Sequence, residues 1–143
     1  MELGLKGKVA LVSGASKGIG RAIAERLVAE GMQVLGTARG GCDAPGVLGH
    51  ASDLRDPAAP AAAVARAVEA FGGLDLLVNC AGATQRGDFL ALDDDAWADS
   101  YAGKFFAAVR LTRAAWPHLA ARQGSVVHIA GAEKKRNFLR CFL

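Results

Sequence analysis

The chain has 143 residues, 52% apolar and 22% charged, enough for one globular domain with a real core and no more. No apolar run approaches the ~20 residues that span a bilayer, residues 1–8 lack the apolar stretch of a signal peptide, and Cys42, Cys80 and Cys141 have neither paired nor metal-ligand spacing. The expectation is a cytoplasmic protein with no membrane and no metal. The net charge of +3 sits in the tail, where Lys134, Lys135, Arg136 and Arg140 face only Glu133. The body is balanced, which argues against a nucleic-acid partner, since that needs a basic face on the folded domain.

Short β-branched runs alternate with longer helical stretches. Residues 8–13 read as a buried strand, and Gly18 to Glu30 as a helix with Ile19, Ile23 and Leu27 on one stripe and Gly31 closing it. Residues 33–38 form a second strand, 47–51 a weaker third. Residues 57–71 read as an Ala-rich helix with Pro57 in its first turn. Leu74 to Asn79 is a fourth strand. Asp93, Asp94 and Asp95 open a long helix through Trp116, with Pro117 marking its end. Residues 125–130 form a fifth strand. Such alternation implies βαβ crossovers and a doubly wound α/β fold with a parallel sheet covered on both faces. Residues 1–131 make the domain. Residues 132–143 form an atypical basic tail with no caps or turn signals.

Ser13-Gly14-Ala15-Ser16-Lys17-Gly18-Ile19-Gly20 joins the first strand to the first helix. Glycines at such a turn let the backbone approach a diphosphate, and the helix start offers free N–H groups with positive partial charge. The octet resembles the Thr-Gly-x-x-x-Gly-x-Gly fingerprint of the short-chain dehydrogenase/reductase family, with Ser13 in place of Thr. Two further segments match in order. Asp53-Leu54 is similar to the family's adenine-binding Asp segment. Asn79-Cys80-Ala81-Gly82 resembles its Asn-Asn-Ala-Gly, with Cys80 in place of the second Asn. The resemblance covers residues 5 to about 131. It implies a Rossmann fold with strands in the order 3-2-1-4-5, incomplete on the C-terminal side, and an oxidoreductase moving hydride between a nicotinamide and a carbonyl or alcohol. The implied cofactor contacts are Gly14, Ser16, Lys17, Gly18, Ile19, Gly20, Thr37, Arg39, Asp53, Leu54, Asn79, Ala81 and Gly82. Asn79 is equally suited to tying strand ends together. Cys80 has no base beside it and reads as a small filler.

NAD sites place an acid about 20 residues past the first glycine. Here the second strand ends Thr37-Ala38-Arg39, and Asp43 falls later, in an irregular stretch. A guanidinium holds a 2′-phosphate where an acid would repel it. With Lys17 nearby, this favours NADP(H).

The family's chemistry uses a Ser and a Tyr-x-x-x-Lys pair. A lone Tyr near pKa ~10 is a poor proton donor at neutral pH without the cation. The single tyrosine, Tyr101, is followed by Lys104, one residue short of that spacing. It shares a helical stripe with Trp97, Phe105 and Thr112 and reads as packing. The position resembling the catalytic Ser reads Ala130-Gly131. The Tyr-x-x-x-Lys helix would follow residue 131, and without it the fifth strand becomes a sheet edge. Lys104 aligns with the family's helix Asn, on the inward side. It either replaces that Asn or snorkels at a kink. His128, between Val127 and Ile129, reads as a packed strand residue. The function expected is an NADP(H)-dependent oxidoreductase, inactive alone. The alternatives are a non-catalytic NADP-binding module and a non-functional fragment. The 95–116 helix is the surface expected to pair two copies.

Overall fold

The computed structural model describes residues 3–82, 85 and 87–130. Strands β1 (Val9–Ser13), β2 (Gln33–Ala38), β3 (Val47–Ala51), β4 (Leu76–Asn79) and β5 (Ser125–His128) form one parallel sheet in the order β3-β2-β1-β4-β5. The order reverses at β1. Its register pairs Val12 with Gly36 on one side and with Val78 on the other. In such sheets the C-terminal ends of strands beside the reversal open a crevice.

Side-chain alternation divides the core. Val9 and Leu11 of β1, with Leu35 and Leu77, meet Ala63, Val64 and Ala67 of α2 (Ala59–Phe71) and Leu111, Ala115 and Leu119 of α4 (Ala107–Ala121). Ala10 and Val12, with Val34 and Val78, meet Ala24 of α1 (Gly18–Ala29) on the other face. No helix among the described residues is long and apolar enough to cross a membrane.

The first helix differs from expectation at one point. Ile23 and Leu27 pack against the sheet, but Ile19 is 63% exposed, because the first turn of α1 overhangs the strand ends. The second helix starts at Ala59. Asp56 holds the preceding turn by accepting from the N–H of Ala58 at 2.9 Å, so the first-turn proline is Pro60, not Pro57.

The third helical stretch departs further. Asp93 caps α3 (Asp94–Tyr101), its carboxylate accepting from the N–H of Ala96 at 2.9 Å. A π turn, Ala102–Phe106, follows before α4 begins. Pro117 lies inside α4, which runs four residues past it to Ala121. Its ring is exposed, whereas Ala115 and Leu119 on either side are buried, so packing carries the helix across the missing N–H.

β5 pairs with β4 alone among the described residues, and Val127 is 42% exposed. His128 is exposed as well, not packed as its neighbours in sequence suggested, because no described residue covers the edge strand on that side.

Candidate functional site

The crevice is built by the β1–α1 turn. The N–H groups of Gly14 and Ala15 both donate to the carbonyl of Thr37, at 2.8 and 3.2 Å, which folds the turn back over β2. Gly14 has φ +70°, and a Cβ there would lie 2.9 Å from the Cα of Ala81. A Cβ on Gly20 would lie 2.2 Å from the carbonyl oxygen of Gly14. The turn therefore closes only with glycine at both places. Lys17 is the N-cap of α1 in extended conformation, and its side chain makes no capping bond. The first-turn amides of α1 are thus left without a side-chain cap at the rim of the cleft.

Ser13 fixes the opposite wall. Its hydroxyl donates to the carbonyl of Val78 at 3.3 Å and accepts from the N–H groups of Cys80 and Ala81, both at 3.0 Å. This one buried oxygen ties β1 to the segment after β4. Ser13→Ala leaves two amides without their acceptor and should cost about 1–3 kcal/mol in denaturant unfolding. Ser13→Thr keeps the oxygen and should retain most of that stability.

Between these walls lies a cleft of about 1040 Å³. It gathers Gly14, Ser16, Lys17, Gly18, Ile19, Gly20, Thr37, Arg39, Asp53, Leu54, Ala81 and Gly82, which come from four separate segments of chain. The exposed Ile19 is at its mouth. Thr37 is fully buried, and its hydroxyl has no hydrogen-bond partner among the described residues. Asp43 lies outside the lining. It is 91% exposed and accepts from Arg21 at 2.7 Å, on the far side of the first turn of α1.

Asp53 is not free-standing. Arg55 Nη2 donates to its Oδ2 at 2.7 Å and Arg55 Nε to its Oδ1 at 3.0 Å, and the Arg55 backbone N–H also donates to Oδ1 at 3.1 Å. The guanidinium hydrogen bonds, with the backbone bond next, hold the Asp53 carboxyl down at about 2. Arg39 lies near enough to add to this. Arg55, with Asp99, Gln85 and Gly103 of the same lining, did not stand out in the sequence. The one available signal was the position of Arg55 two residues after Asp53, where a turn brings the side chain back.

A profile of short chain dehydrogenases matches residues 8–139. The chain belongs to the short-chain dehydrogenase family. It is 33% identical to the 3-oxoacyl-[acyl-carrier-protein] reductase FabG of Salmonella typhimurium over 95% of this chain and 62% of that protein. It is 42% identical to the short-chain reductase protein NovJ of Streptomyces niveus over 62% of this chain and 38% of NovJ. Among solved structures, L-sorbose reductase from Gluconobacter frateurii, complexed with NADPH and L-sorbose, superposes with a TM-score of 0.81 at 33% identity. That match covers 90% of this chain and 54% of the reductase. A short chain dehydrogenase from Burkholderia cenocepacia in complex with NADP gives 0.73 at 39% identity, over 80% of this chain and 52% of that one. The chain thus spans less than two thirds of these short-chain dehydrogenases.

The other residues of family interest lie at a second, more apolar cavity of about 800 Å³, which meets the cleft at Ala81, Lys104 and Ile129. Asn79 lines this second cavity and not the cleft. Its Nδ2 lies 3.2 Å from Thr112 Oγ1 and 3.2 Å from His128 Nδ1, so it ties the end of β4 to α4 and β5. Its buried Oδ1 has no partner among the described residues.

Tyr101 also lines that cavity. It is 51% exposed and meets Phe105 edge-on at 6.3 Å. Trp97, Phe105 and Thr112 of the same stripe line this open cavity with it. Lys104 is exposed and lines both cavities. It sits on the π turn with its methylenes against Gly82, at the junction of the two cavities. Burial pushes the Cys80 thiol up, as befits a filler and not a nucleophile. The Ala130-Gly131 position is described only at Ala130, and residues 131–143, the tail included, lie outside the described residues.

Proposed function

We propose that this chain binds NADP(H) in the cleft at the β1–α1 turn and is the cofactor-binding part of an oxidoreductase for a carbonyl or alcohol. The observation that carries this reading is the uncapped first turn of α1 opening into the same cleft as Lys17 and Arg39, with Asp43 held outside it by Arg21. Amides and a helix dipole suit a diphosphate, and a lysine with an arginine suits a 2′-phosphate. The NADPH and NADP carried by two similar short-chain dehydrogenases support the same cofactor.

The residues present fit it. Gly14, Ser16, Gly18, Ile19 and Gly20 receive the diphosphate, and Lys17 and Arg39 the ribose phosphate. The bare Thr37 hydroxyl offers a buried polar contact. Asp53 and Leu54 flank the adenine. Ala81 and Gly82 leave room for the nicotinamide ribose, and Asn79 braces the strand behind it. NADPH, when bound, supplies a hydride. No side chain that we assign to the cleft supplies a proton: Tyr101 belongs to the neighbouring cavity, and the 143 residues contain no Tyr-x-x-x-Lys. A non-catalytic binding module is the second reading. NADPH oxidation with a panel of ketones and aldehydes is therefore expected to stay at the no-protein rate, while NADPH quenches the protein's fluorescence. Steady turnover would overturn the inactivity, and absence of quenching would overturn the site. Exposed Tyr101, Phe105, Phe106 and Trp116 support pairing of two copies through the 95–116 helix.

A further inference from the structure

Six charged side chains line the cleft among the described residues: Lys17, Arg39, Arg55 and Lys104, against Asp53 and Asp99. Both acids are held by one residue. Arg55 grips Asp53 through Nε and Nη2 and turns Nη1 to Asp99 Oδ1 at 2.9 Å. Its stem lies over the π turn, where a Cβ on Gly103 would come 3.4 Å from Arg55 Cγ. Arg55 thus bridges the loop after β3 to α3 across the cleft.

A 2′-phosphate beside Lys17 and Arg39 would share the cleft with the Asp53 and Asp99 carboxylates, which line it together with those cations. A bare carboxylate there would repel a phosphate dianion and tolerate a ribose hydroxyl. We infer that Arg55 is a specificity-determining residue for the phosphorylated dinucleotide: by holding both carboxylates of the cleft, it removes the repulsion they would exert on a 2′-phosphate. This rests on the dinucleotide reading above. It assigns Arg55 no contact with the phosphate. The residue acts through Asp53 and Asp99, as a positioning residue.

The test compares NADPH with NADH by fluorescence titration of the 143-residue chain, with 2′,5′-ADP and 5′-AMP as competitors that lack the nicotinamide. In Arg55→Met, NADPH is expected to bind about tenfold more weakly and NADH to change by less than about threefold, a gap that narrows as salt rises. Adding Asp53→Asn and Asp99→Asn should restore the ratio of the two affinities. A tie that merely braces α3 would weaken both dinucleotides alike, and that result overturns the inference while leaving the dinucleotide site intact. If Arg55→Met does not fold, Asp53→Asn/Asp99→Asn with Arg55 in place still decides. The preference for NADPH should hold or rise, and a fall overturns the inference. Binding of neither dinucleotide by the unaltered chain overturns both the site and the role of Arg55.

Discussion

Gly20→Ala is expected to abolish NADPH binding, lowering affinity by roughly a hundredfold or more, and to destabilise the fold by about 1–3 kcal/mol. The added methyl would stand 2.2 Å from the carbonyl oxygen of Gly14, and its next contacts are also backbone, so no side chain can swing aside. The start of α1 must move off the β1 turn. That movement takes the first-turn amides out of register with the cleft. Gly40→Ala is the matched control. It lines the same cleft, has nothing within 4 Å of an added Cβ and has no positive φ, so its unfolding midpoint should match that of the parent. Gly18→Ala falls between. Its φ of +57° costs about 1–2 kcal/mol with an added Cβ, but nothing blocks the methyl itself. Denaturant unfolding and NADPH titration on the three variants check this ordering. Equal loss of binding in Gly40→Ala and Gly20→Ala would contradict it.

Arg39→Asp is expected to weaken NADPH by roughly a hundredfold and NADH by less than about threefold. The substitution replaces a cation at the end of β2 with an acid, at the place where NAD-binding chains carry one. Two effects act in the same direction on NADPH: the phosphate loses its guanidinium and gains a like charge. Neither acts against NADH, whose ribose hydroxyl can donate to the new carboxylate. Asp43 does not confuse the result, because Arg21 holds it outside the lining. Titration with both dinucleotides measures the effect. An equal fall in the two affinities would show that Arg39 is an exposed loop cation with no role in the choice.

The strands were legible because β1, β2 and β4 are short and apolar on both sides, whereas their order followed only from the family resemblance. The glycine turn was legible because Gly14 and Gly20 sit between a strand and a helix, where their spacing has a steric reason. The path of the third helical stretch was not. A π turn at Ala102–Phe106 leaves no mark in composition, yet it divides the stretch into α3 and α4. Pro117 misled in the other direction, since buried Ala115 and Leu119 outweigh one lost backbone bond. His128 reads as packed from its neighbours, but exposure of an edge strand depends on what lies beside it in space. Arg55 is the plainest case. Its partners Asp53 and Asp99 are 2 and 44 residues away, and only the folded chain brings the second one to it.

The most direct test of the account follows backbone amide signals by NMR while NADPH is added to the 143-residue chain. The amides of Gly18, Ile19 and Gly20 are expected to shift most, with Gly14 and Ala81 close behind, while α2 stays unmoved. Saturable binding that leaves the first turn of α1 unperturbed, or no binding at all, would contradict it.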